Sequence, residues 1–133
     1  MRLAACLGVR MHIIEPCGFV LDDKQIKRVA MDYGVITDLQ RHSSWEKFLN
    51  TRGEQGIARL VLLSTKAVSG YTDFAFMDGD CLLLGRESSG VPDSVVNMVD
   101  ALVKVPMQSG ARSLNVAMAS SMVIGEAIRQ ILQ

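Results

Sequence analysis

Apolar positions in this chain fall into short continuous runs separated by more polar stretches. Short uninterrupted apolar runs are typical of strands buried on both faces of a parallel sheet. The runs predict four strands, at residues 10–14 (RMHII), 59–63 (RLVLL), 81–84 (CLLL) and 102–105 (LVKV).

Helix signals occupy the stretches between and around these runs. They combine capping residues, a proline suited to a first turn, and glycines suited to helix ends. The predicted helices are residues 2–7 with Gly8 as the C-terminal cap, 22–32 opened by Asp22 and Asp23 and ended by Gly34, 43–49 opened by the S-x-x-E capping box SSWE, a helix begun by Pro92 and Asp93, and about 114–132. Strands that alternate with helices predict an α/β fold with a mainly parallel sheet, in a single domain of residues 1–133.

Polar loops follow three of the predicted strands. Their sequences are STKA (64–67), GRESSG (85–90) and PMQSGARSLN (106–115). In parallel α/β sheets, ligands bind at the carboxyl ends of the strands. We therefore expect a ligand site formed by these three loops.

Composition and charge narrow the class of protein. The 133 residues are 49% hydrophobic and 21% charged, which is typical of a globular domain, and 14 Lys and Arg residues balance 14 Asp and Glu residues. A neutral chain argues against nonspecific coating of nucleic acid. Lys24, Lys27 and Arg28 still share one helix face, which is either a solvated face or a phosphate contact.

The number of cysteines and the length of the apolar runs indicate in which cellular compartment the protein is expected. Three cysteines without a C-x-x-C pair predict reduced thiols in a cytosolic protein. No apolar run approaches the roughly 18 residues that a membrane-spanning helix needs.

Common catalytic motifs do not match the chain. The glycines of GRESSG are followed by Val91 and Pro92, so the Lys and hydroxyl of a phosphate-binding P-loop are missing. No G-x-S-x-G nucleophile motif occurs, and two histidines with three scattered cysteines argue against a zinc site. We expect His12, inside an apolar strand, to be a half-buried histidine with a satisfied hydrogen bond rather than a base.

Three segments, taken in order, resemble the SPOUT superfamily in its SpoU branch. They are MRLAACLGVRMHIIEPCGFVLDDKQIKRVAMDY, LLLGRESSGVP and VPMQSGARSLNVAMASS. The resemblance implies an S-adenosylmethionine-dependent RNA ribose 2′-O-methyltransferase that needs no metal. It implies a parallel sheet with helices on both faces and a C-terminal trefoil knot, an exception to the rule that chains do not thread loops. The HIIEP-GF-DDK-DY pattern is most similar to minimal members that methylate the wobble pyrimidine of leucine tRNAs.

The resemblance also implies roles for individual residues. The family's three motifs are matched by Arg2, by Gly85-x-Glu87-x-x-Gly90 and by Ser113-Leu114-Asn115. Catalytic roles then fall to Arg2, Glu87, Ser113 and Asn115. The implied cofactor-binding residues are Leu63, Ser64, Thr65, Gly85, Glu87, Gly90, Val105, Met107, Ser113 and Leu114. The implied RNA-binding residues are Arg2, Lys24, Lys27 and Arg28.

Several of these roles have alternatives. Arg2 is either a general base, which its high pKa opposes, or a group that binds a phosphate or stabilises the developing alkoxide. Glu87 is expected to organise the site through hydrogen bonds rather than to transfer protons. Ser113 is expected to cap the last helix, line the site, or do both, and Asn115 either starts that helix or belongs to the site.

One departure from the family pattern concerns the beginning of the sequence. Family members carry a first strand and a motif Asn before the Arg, whereas here Arg2 directly follows Met1. The expectation is a domain truncated at its N-terminus, with that strand absent. The leading hypothesis is a cytoplasmic homodimeric tRNA methyltransferase whose small-residue last helix lies at the dimer interface. The alternatives are a truncated, non-catalytic relic that binds cofactor or RNA, and an unrelated α/β nucleotide-binding module.

Overall fold

The computed structural model describes residues 1–16, 24, 27–28, 31, 38–86, 89–112 and 114–132. These residues form two compact units, Met1–Thr51 and Arg52–Gln133. Each unit contains a sheet whose strands all pair in parallel. The predicted α/β class with parallel strands is confirmed, and the single domain of residues 1–133 stays a prediction.

The first unit contains a two-stranded parallel sheet. Strand β1 pairs with β2 from Met11 opposite Leu39 to Ile14 opposite His42. Gly8 ends the first helix in the left-handed conformation (φ 64°), as predicted, and its N–H bonds to carbonyls of the last turn. The elements of this unit are α1 (Arg2–Leu7), β1 (Met11–Ile14), β2 (Leu39–His42) and α2 (Trp45–Thr51).

Two features of the first unit differ from the sequence prediction. Strand β2 was not predicted, because LQRH is short, mostly polar and without β-branched residues. The cap of α2 was predicted at Ser43, but the Ser44 hydroxyl accepts the bond from the Lys47 N–H at 3.2 Å.

In the predicted helix 22–32, the four described residues are helical and exposed, namely Lys24, Lys27, Arg28 and Met31. Its other residues and Gly34 lie outside the described part.

The second unit contains a three-stranded parallel sheet in the order β4-β3-β5. Its central strand is almost fully buried, with Leu60, Val61 and Leu62 at most 2% exposed. Strand β3 matches its prediction, and β4 and β5 each begin one residue earlier than predicted. The elements are β3 (Arg59–Leu63), a 3₁₀ helix (Tyr71–Asp73), β4 (Asp80–Leu83), α3 (Asp93–Val96), β5 (Ala101–Val103) and α4 (Val116–Ile131).

Helix α4 packs on this sheet and also holds the segment before β4. Val123 of α4 is 1% exposed and lies in one apolar cluster with Val61, Phe76 and Val103. The Gln130 side chain accepts a bond from the Phe76 N–H (2.8 Å) and donates one to the Phe74 carbonyl (3.0 Å). Two bonds to backbone groups therefore fix this segment against the helix.

Ion pairs hold the amino ends of the strands. Arg59, the first residue of β3, donates to both carboxylate oxygens of Asp80, the first residue of β4, each at 2.6 Å. The Asp100 carboxylate accepts a bond from the Leu60 N–H at 2.7 Å. The carboxyl ends of the same strands lead instead into long polar loops.

Candidate functional site

The three loops expected to bind a ligand follow three strands of one sheet. We term them the first loop (64–70, after β3), the second loop (84–92, after β4) and the third loop (104–115, after β5). Neighbouring parallel strands lie about 4.8 Å apart, and β3 lies between β4 and β5. The first loop therefore begins between the other two, and the predicted meeting of the loops at one sheet edge is confirmed.

Main-chain bonds tie the first loop to β5 and its extension. The Ser64 N–H donates to the Val103 carbonyl at 2.9 Å, and the Ser64 hydroxyl accepts from the Lys66 N–H at 3.2 Å. Further along, Gly70 pairs with Lys104 in a parallel bridge. The first loop is thus anchored at both of its ends.

The second loop is closed by a pair of reciprocal main-chain bonds. Arg86 N–H donates to the Gly90 carbonyl (3.1 Å), and Gly90 N–H donates to the Arg86 carbonyl (2.8 Å). A Cβ on Gly85 would lie 2.7 Å from the Gly90 carbonyl carbon and 2.8 Å from its Cα. Gly90 itself adopts φ 65°, which favours glycine. The G-x-E-x-x-G spacing therefore has a physical cause at both glycines, whereas Glu87 lies outside the described residues.

The third loop contains a turn and ends at the cap of α4. Gln108 accepts a bond from the Ala111 N–H, and Gly110 takes φ 80° at the third turn position, as a type II turn requires. The Asn115 side chain accepts from the Ala117 N–H at 2.8 Å and caps the helix, which begins two residues later than predicted. Ser113 lies outside the described residues, so Asn115 is the cap that the structure identifies.

The loops offer main-chain groups and apolar side chains to a ligand. The backbone groups of Gly85, Val105 and Met107 make no hydrogen bond to any other described residue. Leu84, Met107 and Leu114 are each 38% exposed although they are large and apolar. Main-chain donors and acceptors can bond the polar atoms of a purine and of an amino acid, and apolar side chains can pack on the purine face, so the residues present fit the adenosyl and methionyl parts of S-adenosylmethionine.

The other predicted site residues belong to the first unit. Arg2 is the exposed first residue of α1, and Lys24, Lys27 and Arg28 are exposed helical residues. Leu63, Ser64, Thr65, Gly85, Gly90, Val105, Met107, Leu114 and Asn115 lie in the second unit, at the ends of the strands or in their loops. The structure thus brings the described cofactor-binding positions to one edge of the second sheet, whereas Glu87 and Ser113 lie outside the described residues.

The two histidines form a pair in the first unit. His12 Nδ1 lies 2.9 Å from His42 Nε2, and Phe48 packs edge-on against both rings. The prediction that His12 is a half-buried, hydrogen-bonded residue is confirmed. Burial lowers the pKa of His12 below the ordinary value of 6.5; nearby His42 and Arg10 lower it further, and Asp38 opposes them.

This pair predicts that the first unit loses stability in mild acid. A histidine whose pKa is lowered by folding binds more protons when unfolded, so its contribution is complete above pH 6.5 and declines as pH falls below that value. Urea unfolding followed by Trp45 fluorescence should show lower stability at about pH 5.5 than at about pH 7.5. In His12→Gln, which retains a hydrogen-bonding group but does not titrate, this difference should shrink; an unchanged difference would contradict the assignment.

Among the described residues, no three His, Cys, Asp or Glu side chains are grouped closely enough to hold a metal ion. None of the helices in the described part is long and apolar enough to cross a membrane.

Comparison with known proteins agrees with the loop geometry. The sequence profile of the SpoU rRNA Methylase family matches residues 1–125. The chain belongs to this family. Among similar relatives of this SpoU methylase, the tRNA (cytidine(34)-2′-O)-methyltransferase of Beijerinckia indica is 52% identical over 131 residues, which cover 98% of this chain and 81% of the relative. The protein of that name from Escherichia coli K12 is 38% identical, covering 98% and 83% respectively.

Solved structures of other members share the architecture of this SpoU methylase. One, described as giving insight into 2-OH methylation of C/U34 on tRNA, is 38% identical with a TM-score of 0.83 and covers 97% of this chain and 83% of the solved chain. AviRb of Streptomyces viridochromogenes, solved with AdoMet, is 27% identical with a TM-score of 0.80, covering 97% and 53%.

Some residues of this edge were not singled out from the sequence. Lys66, Arg86 and Arg112 place one exposed cation on each of the three loops. These cations are visible in the loop sequences STKA, GRESSG and PMQSGARSLN. The sheet order β4-β3-β5 shows which of these loops begin next to each other.

Proposed function

We propose that this SpoU methylase transfers a methyl group from S-adenosylmethionine to the ribose 2′-hydroxyl of the wobble pyrimidine, position 34, of leucine tRNAs. The observation that carries the proposal is the meeting of three loops with available main-chain groups at one edge of a parallel sheet. The names of relatives 38–52% identical over nearly the whole chain support the choice of tRNA and position.

The three loops hold the cofactor chiefly through the main chain. The cofactor supplies an electrophilic methyl carbon and leaves as S-adenosyl-L-homocysteine. Gly85 permits close approach of the second loop to Gly90, and the apolar side chains of Met107 and Leu114 cover the ligand. The residues assigned to binding are Leu63, Ser64, Thr65, Gly85, Glu87, Gly90, Val105, Met107, Ser113 and Leu114.

Arg2, Glu87, Ser113 and Asn115 are assigned to the catalytic site. Methyl transfer to a hydroxyl requires alignment of the nucleophile and removal of a weakly acidic proton. Arg2 binds a phosphate or stabilises the developing alkoxide, because an arginine is a poor base at neutral pH. Glu87 and Asn115 organise the loops around the reacting groups.

The proposed active form is a cytoplasmic homodimer with a C-terminal trefoil knot. Exposed Met118 and Met122, at 61% and 42%, together with the small residues Ala117 and Gly125, make α4 suitable for contact with a second copy. In the dimer, Arg2 of one subunit acts in the catalytic site that contains the cofactor of the other subunit. The exposed cations assigned to tRNA binding are Arg2, Lys24, Lys27 and Arg28.

The proposal is tested by methyl incorporation into unmodified leucine tRNA from labelled S-adenosylmethionine. We expect incorporation at position 34 and none when that nucleotide carries a 2′-deoxyribose. Calorimetry should show cofactor binding without RNA. Binding of cofactor or tRNA with no turnover would favour the non-catalytic relic, and absence of cofactor binding would contradict the proposal.

Substitution of Asn115 separates helix capping from a role in the site. Asn115→Ala removes the bond to the Ala117 N–H and should lower stability by about 1 kcal/mol as well as reduce turnover. Asn115→Ser retains a capping oxygen but loses the amide, so stability should recover while turnover stays low. Thermal unfolding and kcat measured on both variants test this; full recovery of turnover in Asn115→Ser would show that Asn115 acts only as the cap.

A further inference from the structure

The loops at the carboxyl edge of the second sheet are rich in positive charge. Each loop carries one exposed cation, Lys66 on the first, Arg86 on the second and Arg112 on the third. Lys104 adds a fourth, half-buried cation, and Glu87 is the only carboxylate in the sequence of the three loops. The edge thus combines a ligand site with an excess of basic side chains.

Cations elsewhere in the second unit have carboxylate partners. Within the described residues, their ion pairs are Arg52–Asp100, Arg59–Asp80 and Arg129–Glu126. Over the same part of the chain, no carboxylate oxygen lies within 4.0 Å of the Lys66 or Arg112 charged groups. Among the described residues, the charges of Lys66 and Arg112 are therefore not neutralised by a carboxylate, unlike those of Arg52, Arg59 and Arg129.

Helix α4 adds to the positive potential beside the third loop. Its 16 residues begin directly after that loop, and its first turn contains no acidic residue. The N-terminal end of a helix dipole carries about half a positive charge, which a carboxylate in the first turn would offset. An anion near Arg112 is attracted both by the Arg112 side chain and by the N-terminal end of the α4 dipole.

We propose that Lys66, Arg86 and Arg112 form a cationic cluster that binds the phosphates flanking the nucleotide to be methylated. The inference rests on the proposed function and extends the tRNA contacts from the first unit to the rim of the cofactor site. Phosphate contacts fix register and orientation on a nucleic acid without reading its sequence. Three such contacts around the loops add affinity for the tRNA at the rim of the cofactor site.

The test measures tRNA binding and turnover at several salt concentrations. In Lys66→Ala/Arg112→Ala, tRNA Kd and KM should rise by about tenfold per lost contact near 0.1 M salt, and the slope of log affinity against log salt should fall by about 0.7–0.9 per contact. Adding Arg86→Ala should lower the slope further. Cofactor affinity and kcat at saturating tRNA should stay close to wild type. Lys47→Ala, which replaces an exposed lysine of α2, is the matched control and should leave all five quantities unchanged.

The outcomes separate the cluster from the proposed function. An unchanged tRNA Kd and salt slope in the double variant would overturn the cluster while leaving methylation by the wild type intact. Loss of kcat at saturating tRNA together with cofactor affinity would also overturn it, by showing that the cations shape the site. Failure of the wild type to methylate tRNA would contradict the proposed function, and tRNA Kd would still decide whether the cluster binds RNA.

Discussion

Gly85→Ala should weaken cofactor binding by up to about a hundredfold while leaving the chain folded. The added Cβ would lie 2.7 Å and 2.8 Å from backbone atoms of Gly90, closer than Cβ atoms approach in proteins. Backbone cannot rotate away as a side chain can, so the reciprocal bonds between Arg86 and Gly90 must break or shift. Overpacking of this kind costs about 1–3 kcal/mol, which predicts up to about a hundredfold weaker binding of S-adenosylmethionine. Calorimetry measures the Kd, and far-UV circular dichroism verifies the fold.

Two other glycines serve as controls for Gly85. Gly53→Ala adds a Cβ with no atom within 4 Å and no unusual φ, so cofactor affinity should equal that of wild type. Gly90→Ala also meets no atom within 4 Å but forces alanine into φ 65°, which costs about 1–2 kcal/mol. We expect an intermediate loss for Gly90→Ala. Wild-type affinity in Gly85→Ala would show that the closed second loop is not part of the cofactor site.

The strand that the sequence revealed most accurately is β3, whose three central residues are buried. The apolar run in RLVLL at β3 is continuous because neighbouring strands and packed elements exclude water from both faces of the strand. The burial of β3 could therefore be predicted from the sequence pattern alone. LQRH at β2 carries polar side chains and only His42 is buried, so neither a continuous run nor an apolar alternation marks it. Its pairing with β1 depends on residues far away in sequence, which local propensity does not encode.

The same distinction applies to the candidate site. The spacing of Gly85 and Gly90 identifies the second loop because the local backbone requires glycine at both positions, for a close approach at Gly85 and a positive φ at Gly90. The bond between His12 and His42 joins residues 30 positions apart, and Gln130 reaches back 54 positions to Phe76. Such contacts depend on the tertiary arrangement, so the sequence suggested satisfied polar residues without identifying their partners.

Arg2→Ala should reduce kcat by at least about a hundredfold, since general acid–base groups and charge stabilisers each contribute that much or more. The substitution is well suited to isolate chemistry from folding. Arg2 is the exposed first residue of α1, and alanine is the best helix former, so the helix should persist. Affinity for S-adenosylmethionine should stay nearly unchanged, because Arg2 is assigned to the ribose hydroxyl or to a phosphate of the tRNA and not to cofactor binding.

A lysine at the same position distinguishes the possible roles of Arg2. Arg2→Lys keeps the positive charge but loses the planar fork, so an alkoxide or phosphate contact should be restored in part. A lysine acting as a base would instead make the rate rise with pH up to the pKa of the amine. Single-turnover rates across pH, with cofactor Kd measured in parallel, separate these cases. Equal losses of turnover and cofactor affinity in Arg2→Ala would assign Arg2 to structure, since a group that acts only on the ribose hydroxyl or a phosphate has no reason to alter cofactor binding.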